Sequence, residues 1–293
     1  MTLATPASRA WESERGRLIG IAYRMLGDFG DAEDVVSEVA IDALREERGG
    51  GGVRSWPAWL TTVCVRRSID RVRALAVARE EYVGSWLPEP VSTARLPEDA
   101  VADRELLSLA LLHLAEQLPA DARAAVVLHR AYGMSAVEIG GILRKSPAAV
   151  RQAISRGERR LRLTPDAAPS RSPDAAALGA LASAIEGGDL PTVLALLSDD
   201  VTLWSDGGGR VRAALKPILG GDRVRRFLLG VLDKARASGH PLGVALLDVN
   251  GESALALTHS GRTDVLTVEL DGNGRIDGIR MVSNPEKLRR ALG

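Results

Sequence analysis

Arg151, Gln152, Ser155, Arg156 and Arg159 recur at spacings that put them on one side of a helix. Val150, Ile154 and Leu161, with the small Ala153 and Gly157, fall on the other side. Arginine and glutamine present paired hydrogen-bonding groups that match guanine and adenine edges in a major groove, and spare arginines suit phosphates. A second basic group, Arg66, Arg67, Arg71 and Arg73 around Asp70, follows Trp56 and Trp59. Rings and guanidinium groups together suit unpaired bases and their backbone; for Trp59, core packing is the expected role. Asp34, Glu38 and Asp42 stand at i, i+4 and i+8, with Asp31 and Glu33 beside them, an acidic stripe suited to a basic partner. Asp206, His240 and His259 are the candidates for acid–base chemistry. A lone aspartate in a turn and a lone histidine on a strand are expected to be structural, so no catalytic residue is assigned. No His, Cys and Asp cluster has metal-ligand spacing, and neither a metal nor a cofactor is expected.

These groups sit in a chain of 293 residues whose formal charge sums to zero. The zero conceals segregation: residues 28–47 sum to −7, residues 144–162 to +6, residues 66–73 to +3 and residues 210–226 to +5. A neutral enzyme has no need of such blocks, whereas a protein with one surface for a basic partner and another for phosphate does. Aromatic residues are 3% of the chain, so the core must be built from Ala, Val and Leu. The one cysteine, Cys64, cannot form an internal disulfide, which suits a reducing compartment. No run of about 18 apolar residues is present, so a cytoplasmic chain without a membrane span is expected.

The elements that must position these groups are legible from periodicity and punctuation. Val35, Val36, Val39, Ala40, Ala43 and Leu44 give the buried face of one helix within a helical stretch over 8–81. Glycines 49–52 break it, and Pro57 opens the next helix, which runs through Leu60, Val63, Ile69 and Val72. Residues 82–100, with Pro88, Pro90 and Pro97, read as a linker. Helices resume at about 101–117, and three shorter ones are expected within 119–163. In residues 134–162, Ser135 and Glu138 form a capping box, and Arg144, Lys145 and Ser146 make a short turn. Ser146 caps a second helix with Pro147 at its first position, the pattern of a helix-turn-helix. A second linker is expected at 164–174. Beyond 175, two helices at about 175–187 and 190–198 precede short strands broken by a helix at about 222–238. The Asp271-Gly272-Asn273-Gly274 turn joins the last two strands, an α+β pattern.

Residues 27–38, with Asp31-Ala32-Glu33-Asp34 and Glu38, resemble region 2.2 of the extracytoplasmic-function sigma factors, with Ser37 where that family usually has Gln. Trp56-Pro57-Ala58-Trp59-Leu60 and Arg66 to Arg73 resemble regions 2.3 and 2.4, and residues 105–163 resemble region 4. The resemblance covers 8–163. It implies that Asp31, Glu33, Asp34 and Glu38 hold core RNA polymerase through the coiled coil of its β′ subunit, and that region 4 meets the β flap. It implies that Trp56, Arg66, Arg67, Asp70, Arg71 and Arg73 serve the −10 promoter element. Ser146, Arg151, Gln152, Ser155, Arg156 and Arg159 would then read the −35 element.

Tyr82-Val83-Gly84-Ser85-Trp86-Leu87-Pro88-Glu89-Pro90 resembles the inter-domain motif of a subgroup that carries a SnoaL-like C-terminal domain. Residues 175–293 resemble that domain through Asp206-Gly207-Gly208-Gly209-Arg210 and Asn284-Pro285-Glu286-Lys287-Leu288, with Glu286 where Asp is usual. The expected architecture is two all-α sigma regions, 8–81 and 101–163, followed by an α+β cone over 175–293. Tyr82, Trp86, Pro88, Asp206, Gly207, Gly208, Gly209, Asn284 and Pro285 are expected to make regulatory contacts within the chain. The basic segment 210–226 is expected to compete for the acidic stripe. Three readings stay open beside a self-regulated sigma factor: a helix-turn-helix regulator that does not use polymerase, a SnoaL-like enzyme fused to a DNA-binding module, and a sensor with a small-molecule ligand in the cone.

Overall fold

A computed structural model describes residues 5–50, 52–98, 106–163, 172–237, 239 and 242–292. The chain divides into two compact units. One comprises residues 1–80, 96–107 and 111–164, and the other residues 81–95, 108–110 and 165–293.

The first unit is helical. Helix α1 spans Pro6–Leu26, α2 Phe29–Arg48 and α3 Trp56–Glu80. Thr5 caps α1, whose chain turns at Gly27 with φ 67°, and Asp28 then caps α2 by accepting from the Asp31 amide at 2.9 Å. Two helices meet there because a left-handed residue without a Cβ costs nothing at that corner. Helix α1 lies against both α2 and α3, and Leu18, Ile21, Tyr23 and Leu26 of α1, Val36 and Val39 of α2 and Leu60 and Val65 of α3 are all buried. Ala43 is buried as the periodicity predicts, whereas Leu44 is 38% exposed, at the margin of the apolar stripe. Cys64 lies in this core, and burial pushes its thiol up to about 12. From Leu111 the unit continues with the rest of α4 (Leu109–Ala115), then α5 (Ala120–Arg130), α6 (Ala136–Leu143) and α7 (Pro147–Arg160). Of the helix expected over 101–117, residues 101–105 lie outside the described residues, and regular helix begins at Leu109. Glu116 receives Arg79 of α3 and, at 2.9 Å, the buried Arg123 of α5. The phenol of Tyr132 lies between Arg17 and Arg24, whose guanidinium carbons are 5.3 and 5.6 Å from its ring centre.

The second unit is α+β. Helices α8 (Ala175–Glu186), α9 (Leu190–Ala195), α10 (Gly221–Ala237) and α11 (Pro285–Leu292) accompany six strands. The strands are β1 (Leu197–Asp206), β2 (Ile218–Leu219), β3 (Gly243–Val249), β4 (Glu252–His259), β5 (Arg262–Leu270) and β6 (Ile276–Val282). Their order is β2-β1-β6-β5-β4-β3, with β1 and β6 parallel and the other neighbours antiparallel. Side-chain alternation gives the sheet two apolar faces. Leu255, Leu257, Leu266, Val268, Ile279 and Met281 share a cluster with Leu178, Leu181 and Val193 of the helices and Val224 of α10. Ala254, Val265 and Val282, on the other face, cluster with Leu288 and Ala291 of α11 and with Leu87. Leu87 belongs to the stretch expected as a linker. Leu87 and Val91 are fully buried there, and Ser92 bridges to Val249. The second expected linker lies mostly outside the described residues.

Candidate nucleic-acid interface

Local chemistry sets the geometry of α6 and α7. The Ser135 amide donates to Glu138 Oε2 at 2.8 Å and the Glu138 amide to Ser135 Oγ at 3.3 Å, so the expected capping box is formed. Those bonds hold the Glu138 carboxyl below its usual range. Arg144 ends α6 with φ 54°, and Ser146 caps α7 by accepting from the Ala149 amide at 3.2 Å. The turn is tight: a Cβ on Gly140 would stand 2.7 Å from the Lys145 carbonyl oxygen. Val150, Ile154 and Leu161 are buried, and a Cβ on Gly157 would meet Val126 Cγ2 at 2.5 Å, so α7 is seated closely on α5. The opposite side presents Arg151, Gln152, Ser155, Arg156 and Arg159, all exposed, with Ser146 at the leading end. Such a helix can offer five side chains to a groove without disturbing its core.

Helix α3 carries the second basic group. Trp56 and Trp59 stand edge to face with ring centres 5.6 Å apart. Trp59 is only partly buried, a correction to its expected core role: Leu60 takes the inward position next to it. Arg66 and Arg67 are half-buried, and Asp70, Arg71 and Arg73 are exposed. Asp34 and Glu38 of α2 are exposed, and Asp31 and Glu33 partly so. Basic and acidic groups were expected to serve different partners, yet they meet. Arg67 pairs with Asp42 and Glu38, and Arg71 with Asp31. Asp42 and Asp121 are residues whose role in holding arginines the sequence reading missed. Asp42 carried a signal in its place on the stripe; Asp121 carried none.

In the second unit several of the residues expected to make regulatory contacts gather at one of their number, Asp206, which is fully buried. Its carboxylate accepts from Tyr82 Oη at 2.6 Å, the Leu87 amide at 2.9 Å, the Gly208 amide at 3.0 Å and Lys287 Nζ at 2.7 Å. Its carbonyl accepts from the amides of Ser283 and Asn284. Asn284 Nδ2 donates to Tyr82 Oη at 3.1 Å, and Pro285 opens α11. Burial and the adjacent carboxylate raise the Tyr82 phenol far above its ordinary value. Lys287 Nζ lies 4.1 Å from the Trp86 ring centre. Pro88 is buried, as is Glu89, which receives Arg290 at 2.9 Å. The glycines permit close approach: Cβ atoms at Gly207 and Gly208 would stand 2.5 Å from the Val211 carbonyl oxygen and 2.3 Å from Asn284 Nδ2. Lys287 was legible as part of the quoted motif, but its pairing with Asp206 was not.

Of the remaining acid–base candidates, His259 pairs with a different carboxylate. His259 is buried on β4 and its Nε2 lies 2.8 Å from Asp264 Oδ2, while His240 lies outside the described residues. On the helix-covered face of the sheet, Leu181, Val193, Leu228, Leu257 and Met281 help to line an apolar cavity of about 60 Å³. Cavities that bind benzene are nearer 150 Å³, so this one holds no ring-sized molecule as it stands. Among the described residues no helix is long and apolar enough to cross a membrane.

Residues 10–77 match the family model described as sigma-70 region 2, and residues 108–161 that described as sigma-70, region 4. The chain is 36% identical over 279 residues to the ECF RNA polymerase sigma factor SigJ of Mycobacterium tuberculosis, across 93% of this chain and 84% of that protein. The chain belongs to the ECF sigma factor family. It is also 28% identical to the probable ECF sigma factor SigI of the same organism, over 100% of this chain and 99% of that protein. The crystal structure of Mycobacterium tuberculosis SigJ superposes with a TM-score of 0.75 and 31% identity, covering 96% of this chain and 98% of that one. This sigma factor therefore has the expected fold class: helical regions 2 and 4, then a C-terminal α+β sheet domain of the SnoaL-like kind. Its family directs transcription initiation with RNA polymerase, which disfavours both the regulator that works without polymerase and the fused enzyme.

Proposed function

We propose that α7 reads the −35 element through Arg151, Gln152, Ser155, Arg156 and Arg159, with Ser146 at its leading end. Helix α3 serves the −10 element through Trp56, Arg66, Arg67, Asp70, Arg71 and Arg73. Asp31, Glu33, Asp34 and Glu38 of α2 receive the β′ coiled coil of core polymerase, and region 4 meets the β flap. The observation that carries this reading is the exposure of five base-reading or phosphate-reading side chains on one face of a helix that Ser146 caps. If Arg151 contacts a base, Arg151→Ala lowers discrimination between matched and mismatched −35 elements by about 1–3 kcal/mol. Uniform weakening on every sequence would make Arg151 a phosphate contact instead. Equilibrium binding of the holoenzyme to matched and mismatched promoters distinguishes the two.

The same proposal gives the C-terminal domain a controlling role. Its support is the buried pair Asp206–Lys287, which fastens Tyr82 and Leu87 of the inter-region segment. Removing 175–293 would strip the cover from Leu87 and Val91, so promoter output in reconstituted transcription should change. Equal output would remove the controlling role.

A further inference from the structure

All four arginines assigned to the −10 element already have partners within the helical unit. Arg67 donates through Nε to Asp42 at 2.7 Å and also pairs with Glu38. Arg71 donates through Nε to Asp31 at 2.9 Å. Arg73 Nη2 donates to Asp121 at 3.0 Å, and Arg66 Nε donates to the Ile142 carbonyl at 3.0 Å. Asp121 in addition holds Lys145, in the turn between α6 and α7, at 2.6 Å. The carboxylates come from two places: α2, and the first turn of α5. A guanidinium edge that grips a carboxylate is not available to a phosphate in the same geometry. The side chains of Arg67 and Arg73 are 33% and 60% exposed, so the pairs are wet and labile, each worth a factor of about 1.5 to 5 in an equilibrium.

We propose that Asp42 and Asp121 are positioning residues of the −10 reader, holding Arg67 and Arg73 off nucleic acid in the free factor. The inference rests on the assignment of α3 to the −10 element. Neither aspartate belongs to the residues assigned to DNA or polymerase. Their neighbours give the device a direction. Glu38 and Asp31 are counter-ions of Arg67 and Arg71 and are also the groups assigned to polymerase. Polymerase that recruits these acids removes a restraint from the arginines in the same step. Binding of polymerase then raises affinity for −10 DNA, and by reciprocity DNA raises affinity for polymerase.

The test uses the full chain and a single-stranded −10 oligonucleotide from a promoter that the holoenzyme opens, with fluorescence anisotropy read across a salt series. Asp42→Asn and Asp121→Asn should each bind about threefold tighter than the wild-type factor. The slope of log affinity against log salt should steepen by about 0.7 for each arginine that reaches a phosphate. Glu46→Gln removes the same charge from α2 outside these pairs and sets the size of a general charge effect, which the two variants must exceed. Adding Arg67→Ala to Asp42→Asn, or Arg73→Ala to Asp121→Asn, should erase the gain. Asparagine variants that match Glu46→Gln in affinity and slope overturn the inference and leave the −10 assignment intact. Holoenzyme whose −10 binding is unchanged by Arg67→Ala and Arg73→Ala overturns the assignment and the inference with it.

Discussion

Asp206 shows what one buried carboxylate does when every lone pair is used. It takes two side-chain donors and two amides from three stretches of chain, and its nearest cation, Lys287, is itself almost fully covered. Removing one partner of such a pair strands the other charge, so Asp206→Ala should lower the stability of the α+β unit by about 3–5 kcal/mol in denaturant unfolding. A loss under 1 kcal/mol would mean that water already reaches Lys287. Cys64 is a second residue whose surroundings set its chemistry. Its folded thiol is pushed up to about 12 from an ordinary value near 9, chiefly by burial. Because the folded value is the higher one, the thiol's contribution to stability is whole below pH 9 and is lost as pH rises from 9 towards 12. Labelling of the native thiol at pH 8 should be much slower than in urea, because burial both suppresses the thiolate and blocks access; equal rates would contradict its burial. The sequence made both residues visible, Asp206 through its glycines and Cys64 as the one cysteine of the chain. The partners of each come from distant stretches, which no local pattern encodes.

At the scale of elements, boundaries were legible wherever a local hydrogen bond ends a helix. Ser135, Glu138, Ser146 and Pro147 locate α6 and α7 closely, because caps act within one turn of chain. Ser146→Ala should destabilise the helical unit by about 1 kcal/mol, measured by thermal unfolding. Gly157→Ala is the sharper test of how α7 is seated: its Cβ would meet Val126 Cγ2 at 2.5 Å. Displacing α7 should cost about 1–3 kcal/mol and weaken −35 binding while every exposed side chain is kept. Unchanged stability and unchanged binding would show that α7 does not depend on that contact. The segment 82–91 was the harder element. Its prolines correctly exclude helix, but Leu87 and Val91 are buried through tertiary packing that leaves no periodic trace.

For the molecule as a whole, charge segregation was the most informative property of the sequence. A net charge of zero divides into acidic α2, basic α3 and basic α7. That division survives in the structure, with one addition: parts of the acidic and basic groups neutralise each other in the free factor. The C-terminal domain adds an α+β unit whose sheet buries the inter-region segment by way of Asp206. The most direct test of control through that segment is run-off transcription from one promoter, with core polymerase and equal amounts of the intact factor or its Asp206→Ala variant. The expected result is a different transcript yield from the variant, with the thermal transition of the helical unit unchanged. Equal yield, from a variant whose α+β unit is demonstrably destabilised, would contradict control by the fused domain and leave a sigma factor with a passive appendage.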